Sequence, residues 1–397
     1  MFMNRYSVAM SLLLAVGTGG CGAAGDISSG SVADKPASTD TSVDPVATGF
    51  VGSGNDPATD AIDERPFTDP ETGTTYLMNS NRRVLTGGRG ETASSVSSGP
   101  GAESVRKVAQ ALNASGTDTD WSGKVNIQIV ECVSPPSTGS ISLGCSVSSE
   151  YVLIGGGAQD VYTGWGAMLW ESRPQDINDS GTGTTWMASS KDHVNASSHT
   201  LTTWAVGLKV KKTNGAWMSH AALKAFVHYT FRSSSQSSRP SKTCIVPDGS
   251  LVIGGGARSN YTGWGQLLTD SYPQNQTTWY AAAKDHVKPD SATLNVYCIG
   301  ITPTIAGVGT LVVGPPLSSS DFTNSGVGTA ANNITGSPNK SVVGCYGGRA
   351  SYNGWGRMLF RMAPGDGDIR SFTVASKDHI NADSGWTEAW ATELRMQ

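Results

Sequence analysis

Tyr162-Thr163-Gly164-Trp165-Gly166 returns as Tyr261-Thr262-Gly263-Trp264-Gly265 and again as Tyr352-Asn353-Gly354-Trp355-Gly356. Each copy is followed by a Leu three residues after its last Gly (Leu169, Leu268, Leu359) and by a Pro twelve residues after its Tyr (174 − 162, 273 − 261, 364 − 352). A turn and the strand after it are thus repeated without insertion, the signature of an internal repeat.

Working outward, two copies carry Ile-Gly-Gly-Gly-Ala ahead of the turn, at Ile154 to Ala158 and Ile253 to Ala257, whereas the third has Cys345 where the first Gly is expected. Behind the turn each copy has an aromatic residue and then Lys-Asp-His, over Trp186 to His193, Trp279 to His286 and Phe372 to His379. The interval from the motif Tyr to this Lys varies, so a loop of variable length precedes the strand. Opening strands are expected over Val125 to Val133, Leu223 to Arg232 and Val308 to Val313, and closing strands at Trp204-Ala205, Tyr297-Cys298 and Trp390-Ala391. Period-2 alternation, β-branched and aromatic residues, and Gly and Pro punctuation predict an all-β fold with about five strands per copy. The copies span 121–214, 215–304 and 305–397, with connectors short enough to favour modules packed together.

All 11 Trp lie from Trp121 onward, so residues able to anchor a core are confined to that region. Residues 1–21 join Arg5, a short apolar run and small residues ahead of Cys21, the grammar of a signal segment too short to span a bilayer. Its end resembles a lipobox in which Cys21 becomes an acylated N-terminus, although Thr18 stands where Leu is usual; ordinary secretion with cutting near Ala23 or Ala24 is the alternative. Both readings put the protein outside the cytoplasm, with a membrane reached only through a lipid anchor. Residues 22–120, rich in Ser, Thr, Gly, Asp, Pro and Ala, read as a disordered tether, apart from helical spacing over Ser104 to Asn113. A formal charge of −4 and the absence of a basic block argue against a nucleic-acid partner.

The second copy, with Cys244, Ile253 to Ala257, Ser271-Tyr272-Pro273, Trp279 and Val296 to Ile299, resembles a small secreted bacterial module that often follows collagen-like or fibre-like segments. The resemblance covers about 60 residues per copy and implies fold and location, with no activity attached. It implies a Cys244–Cys298 disulfide, which export permits. Cys132 and Cys145 are a second candidate pair, which leaves Cys345 single. The association of that module with trimeric fibres suggests a pseudo-threefold cluster of the three copies.

On a regular Lys-Asp-His strand, alternation puts Asp192, Asp285 and Asp378 on the core side and Lys191, Lys284 and Lys377 outward with His193, His286 and His379. A buried carboxylate needs donors, so the Asp residues are read as structural clips for nearby Gly-rich turns, with a ligand-facing role as the alternative. Three His at an axis could form an open three-His metal site, but sequence spacing does not require them to converge; no metal or cofactor is assigned. No Gly-x-Ser-x-Gly elbow occurs, and three near-equal copies suit repeated binding better than one catalytic centre. The candidate ligand-binding set is Tyr162, Trp165 and Lys191, Tyr261, Trp264 and Lys284, and Tyr352, Trp355 and Lys377. Aromatic faces would stack on sugar C–H surfaces and the amines would meet hydroxyls. The competing reading makes each Trp a core plug. The expectation is a non-enzymatic, multivalent recognition module for a glycan or cell-wall polymer. The alternative is a purely structural envelope or matrix component, with a hydrolytic or metal-dependent enzyme as the weakest reading.

Overall fold

The protein is described by a computed structural model over residues 67–68, 75–76, 116–164, 166–175, 183–333, 340–354, 356–365, 368–379 and 381–397. These lie in one compact unit, Asp56–Gln397. The signal segment with Cys21, the expected helix at 104–113, and Trp165 and Trp355 lie outside the described residues.

The described chain is almost entirely antiparallel β-structure. A two-residue pairing, β1 (Phe67–Thr68) with β2 (Thr75–Tyr76), precedes the modules. The first module contains β3 (Gly116–Thr119), β4 (Val125–Val133), β5 (Ser140–Ser146), β6 (Val152–Tyr162), β7 (Met168–Pro174), β8 (Thr185–Lys191) and β9 (His199–Val210). The second has a short helix α1 (His220–Lys224), then β10 (Val227–Ser233), β11 (Ser241–Ile245), β12 (Leu251–Asn260), β13 (Leu267–Pro273), β14 (Thr278–Lys284) and β15 (Thr293–Ile301). The third has β16 (Thr304–Ile305), β17 (Gly309–Val313), β18 (Leu317–Thr323), β19 (Val327–Asn333), β20 (Val342–Tyr352), β21 (Met358–Gly365), β22 (Asp368–Lys377) and β23 (Gly385–Met396). Each module has an unexpected second strand (β5, β11, β19), module one adds the short β3, and module three adds β16 and a further strand in its opening segment. The strand expected from Leu223 begins instead at Val227, because α1 takes Leu223 into the core.

Each module is a two-layer unit, and its layers belong to different sheets. Strands β4, β9 and β6 of module one continue through β6–β21 into β21, β22 and β19 of module three. Strands β7, β8 and β5 continue through β7–β12 into β12, β15 and β10 of module two. Strands β13, β14 and β11 of module two continue through β13–β20 into β20 and β23 of module three, and so the cycle closes. The joints use equivalent positions, two residue pairs each: Gln159↔Arg361 and Ala158↔Met362, Arg258↔Glu171 and Ala257↔Ser172, Arg349↔Asp270 and Gly348↔Ser271. The arrangement is pseudo-threefold.

The repeated glycines follow from this packing. A Cβ on Gly156 would lie 2.4 Å from the Trp186 ring, and one on Gly255 would lie 2.3 Å from the Trp279 ring. The middle Gly of each triplet therefore makes room for a core Trp, whose indole N–H donates to Ser172 (3.0 Å) or Ser271 (3.1 Å). Module three exchanges the volumes: Tyr346 stands at the Gly position and stacks on Phe372 at 4.4 Å, and Met362 replaces the Ser because Phe has no N–H to accept. Gly157, Gly256 and Gly347 sit where the neighbouring module's backbone passes: a Cβ there would meet Met362 O at 2.2 Å, Ser172 O at 2.1 Å or Tyr272 Cα at 2.5 Å. This third Gly, needed for close approach across the joint, is present in all three copies. Cys132 with Cys145 and Cys244 with Cys298 are disulfide pairs, with Cα–Cα distances of 5.6 and 5.7 Å, and Cys345 is a buried free thiol.

Candidate functional site

The Tyr-x-Gly-Trp-Gly turn bends because its last glycine adopts the left-handed region, at φ 70° for Gly166, 79° for Gly265 and 98° for Gly356. Its amides then point inward and need acceptors. In module two Asp290 accepts from Gly263 N (3.1 Å) and from Gly265 N, and in module three Asp383 accepts from Gly354 N (3.1 Å) and from Gly356 N. Ser197 takes this place in module one, with Gly166 N donating to its Oγ at 3.0 Å.

These acceptors are in turn held by the Lys-Asp-His carboxylates. Asp192 Oδ2 accepts from Ser197 N (2.9 Å), Asp285 Oδ2 from Asp290 N (3.3 Å) and Asp378 Oδ2 from Asp383 N (3.1 Å). Asp192 and Asp378 also take Gly139 N and Gly326 N, both at 2.9 Å. The three carboxylates are half-buried, not on the core side as alternation suggests, and the residues that grip the turn itself escaped the sequence reading. The signal was present: Ser197, Asp290 and Asp383 each lie five positions after the Asp.

Lys and His do not project outward. The strand ends at the Lys, so alternation no longer applies to the residues that follow. Lys191, Lys284 and Lys377 are only 6, 3 and 4% exposed, because the opposite face of the strand is covered by the next module. Each amine lies over the motif Tyr of that module: Lys191 over Tyr261 at 4.3 Å, Lys284 over Tyr352 at 4.7 Å and Lys377 over Tyr162 at 3.6 Å. The expected open platform of Tyr and Lys is corrected here: these six residues face one another across the joints. Burial pushes Lys191 down to about 7 and Lys284 down to about 8, and it also lowers Lys377. The Tyr162 and Tyr261 hydroxyls are pushed up by burial.

The joints differ in what closes them. Trp170 packs edge-on against Tyr261 (5.2 Å) and Phe360 against Tyr162 (5.4 Å), whereas the equivalent position facing Tyr352 is Thr269. Lys377 faces the buried Asp160, whose equivalents at the other joints are Ser259 and Ala350. Beside Lys284 a cleft of about 370 Å³ opens, lined by Arg239, Asp285, His286, Val287, Lys288, Pro289 and Gly354.

The three His converge. Ring centroids are 5.7 Å apart for His193–His286, 5.9 Å for His193–His379 and 5.5 Å for His286–His379. His193 Nε2 meets the backbone carbonyl of His286, and among the described residues no group of three or more His, Cys, Asp or Glu is set to hold a metal ion. Burial pushes His193 down to about 2 and His379 down to about 3, so both rings are neutral near pH 7. The residues after two of these His, Val194 and Val287, have φ of 69° and 63°, a costly conformation for a β-branched side chain. Trp264, the described member of the motif Trp set, is half-buried, with its ring 6.2 Å from His193.

Aromatic rings are open elsewhere. Phe322 and Trp386 are 43 and 47% exposed, are cross-strand partners on β18 and β23, and lie 5.1 Å apart. Next to them Arg349 bridges Asp270 (3.3 Å) and Glu388 (3.5 Å). Among models of known protein families and among curated proteins, nothing matches this chain.

Proposed function

We propose that the chain is an exported recognition module for carbohydrate polymers, tethered at the cell envelope through Cys21 or secreted. The observation that carries this reading is the Phe322–Trp386 pair. Two large rings stand side by side and about half exposed on the sheet, beside charged groups able to exchange hydrogen bonds with hydroxyls. Sugars fit that combination of apolar faces and polar edges. Half-buried Trp264 offers a second, smaller face at the end of the module ring.

The test is retention on insoluble polysaccharides and affinity electrophoresis in soluble ones. Trp386→Ala and Phe322→Ala are expected to lose most of the retention while melting stays that of the parent. Equal retention of the double variant, or no retention of the parent on any polymer, overturns the proposal.

A second reading, a structural envelope or matrix component without a small ligand, draws on the use of the Tyr and Lys of every repeat in the joints. A parent protein that binds no glycan yet assembles with envelope or matrix material would favour it.

A further inference from the structure

We infer that the cleft between the second and third modules is an oxyanion site that takes the carboxylate, sulfate or phosphate of an acidic saccharide; the saccharide part rests on the carbohydrate reading above. The three joints are built alike, and their differences carry the argument. Where module three meets module one, Lys377 has the carboxylate of Asp160 facing it and Phe360 packed on Tyr162. Where module one meets module two, Lys191 is acted on by Asp290, and Trp170 packs on Tyr261. At the remaining joint Thr269 replaces the large ring and Ala350 stands at the Asp160 position, while Asp285 and Asp383 act on Lys284 as Asp290 acts on Lys191. At this joint a cleft of about 370 Å³ opens beside Lys284.

Its lining bears three cations, Arg239, Lys284 and Lys288, against the single carboxylate of Asp285. That carboxylate already accepts the amide of Asp290, and the nearby Asp383 holds the amides of Gly354 and Gly356. Arg239 and Lys284 repel each other, and Asp285 and Asp383, which act on Lys284, offset that repulsion in part, since both carboxylates are already engaged with backbone amides. An oxyanion between them would relieve that repulsion, and desolvation in a partly enclosed cleft would strengthen its charge-assisted hydrogen bonds. Exposed Arg239 forms the mouth, buried Lys284 the floor.

Calorimetric titration of the exported chain with glucuronate, glucose and inorganic phosphate tests this at low ionic strength. Glucuronate is expected to bind and glucose not. Arg239→Gln, a change on an exposed side chain, should weaken binding about ten- to a hundred-fold. Ala350→Asp, which installs the carboxylate found at the Lys377 joint, should abolish it. Phosphate binding that responds to the same variants supports the anion site, and if glucuronate then fails to bind, the saccharide part is overturned. Binding of neither anion, or binding indifferent to both variants, overturns the site itself. The two functional readings fail separately: loss of polymer retention in Trp386→Ala with no glucuronate binding keeps the aromatic face and removes the cleft.

Discussion

Lys377, in the last module, holds its amine 3.6 Å from the ring centroid of Tyr162 in the first, and this contact closes the cycle that Lys191–Tyr261 and Lys284–Tyr352 begin. Two buried groups of opposite charge meet there, since Asp160 acts on the same amine. Removing Lys377 leaves the buried Asp160 with His199, 3.9 Å away, as its remaining close opposite charge. Lys377→Met should therefore cost about 3 kcal/mol, and Asp160→Asn in that background should recover much of it, because a buried pair replaced together costs far less than a pair that is broken. Chemical denaturation of the single and double variants measures both, and equal stability of the two would remove the ion pair from this joint.

The same lysines set an alkaline dependence. Their pKa falls on folding, to about 7 for Lys191 and about 8 for Lys284, so between those values and the usual 10.5 the unfolded chain binds more protons than the folded one. Stability then rises with pH across that window and is lost as pH falls through it. Tyr162 and Tyr261 act in the opposite sense above their ordinary value of 10.0, because burial keeps them protonated when the unfolded chain ionises. The melting temperature should increase from pH 7 to about 10 and then turn over. A flat or falling profile from pH 7 to 9 would show that the amines are solvated.

Acid should act through the axial imidazoles. His193 and His379, lowered to about 2 and about 3 by burial, stay neutral in the fold while the unfolded chain gains protons below 6.5. Each contributes a loss of up to about 1.4 kcal/mol per pH unit as pH falls from 6.5 toward 3. Asp270, raised to about 6 by burial, opposes this between 6 and 3.8. Replacing both His with Gln should flatten the acid limb of a melting-temperature profile, and an unchanged slope would place the titrating groups elsewhere.

The three copies, the turn motif and the all-β class were legible because they rest on identities at fixed spacing within one chain. The inward Lys was not, since alternation along a strand assumes that one face meets water, and here that face meets the next module. The cyclic order was hidden for a related reason: each joint is two residue pairs between strands distant in sequence, as at Arg258↔Glu171. The second strand carries a readable signal. Ile141, Leu143 and Cys145 alternate with intermediate neighbours in Ser140–Ser146, but the Ser content reads as loop. The exposed Phe322–Trp386 pair belongs to no repeat, so no identity at fixed spacing marks it.

Asp192, Asp285 and Asp378 each join the end of a strand to the loop that grips the motif turn. Replacing Asp378 with Ala strips acceptors from Gly326 N and Asp383 N, at an expected cost of about 1 to 3 kcal/mol. Lost clipping should also loosen the turn itself. Hydrogen exchange at Gly354 and Gly356 should rise in Asp378→Ala more than at the corresponding glycines of module two. Uniform exchange across the modules would contradict a local clip.

Gly255 and Trp279 form a size-matched pair, and module three shows what the alternative looks like. Gly255→Ala puts a methyl 2.3 Å from the indole and 2.7 Å from the carbonyl of Tyr297, an overpacking that should cost about 1 to 3 kcal/mol. Trp279→Phe alone leaves a gap in the core and deprives Ser271 Oγ of the indole N–H it accepts at 3.1 Å. Tyr346 against Phe372 in the third module implies that the smaller ring relieves the crowding at the Gly position. The double variant should therefore be less destabilised than the sum of the two singles, with a favourable coupling of about 0.5 to 2 kcal/mol. Adding Ser271→Met, the residue type that Met362 supplies beside Phe372, should recover more by filling the gap with an apolar side chain. Strict additivity in denaturant titrations of this cycle would mean that the Gly and the Trp are not matched to each other, and that the tyrosine in module three is an independent change.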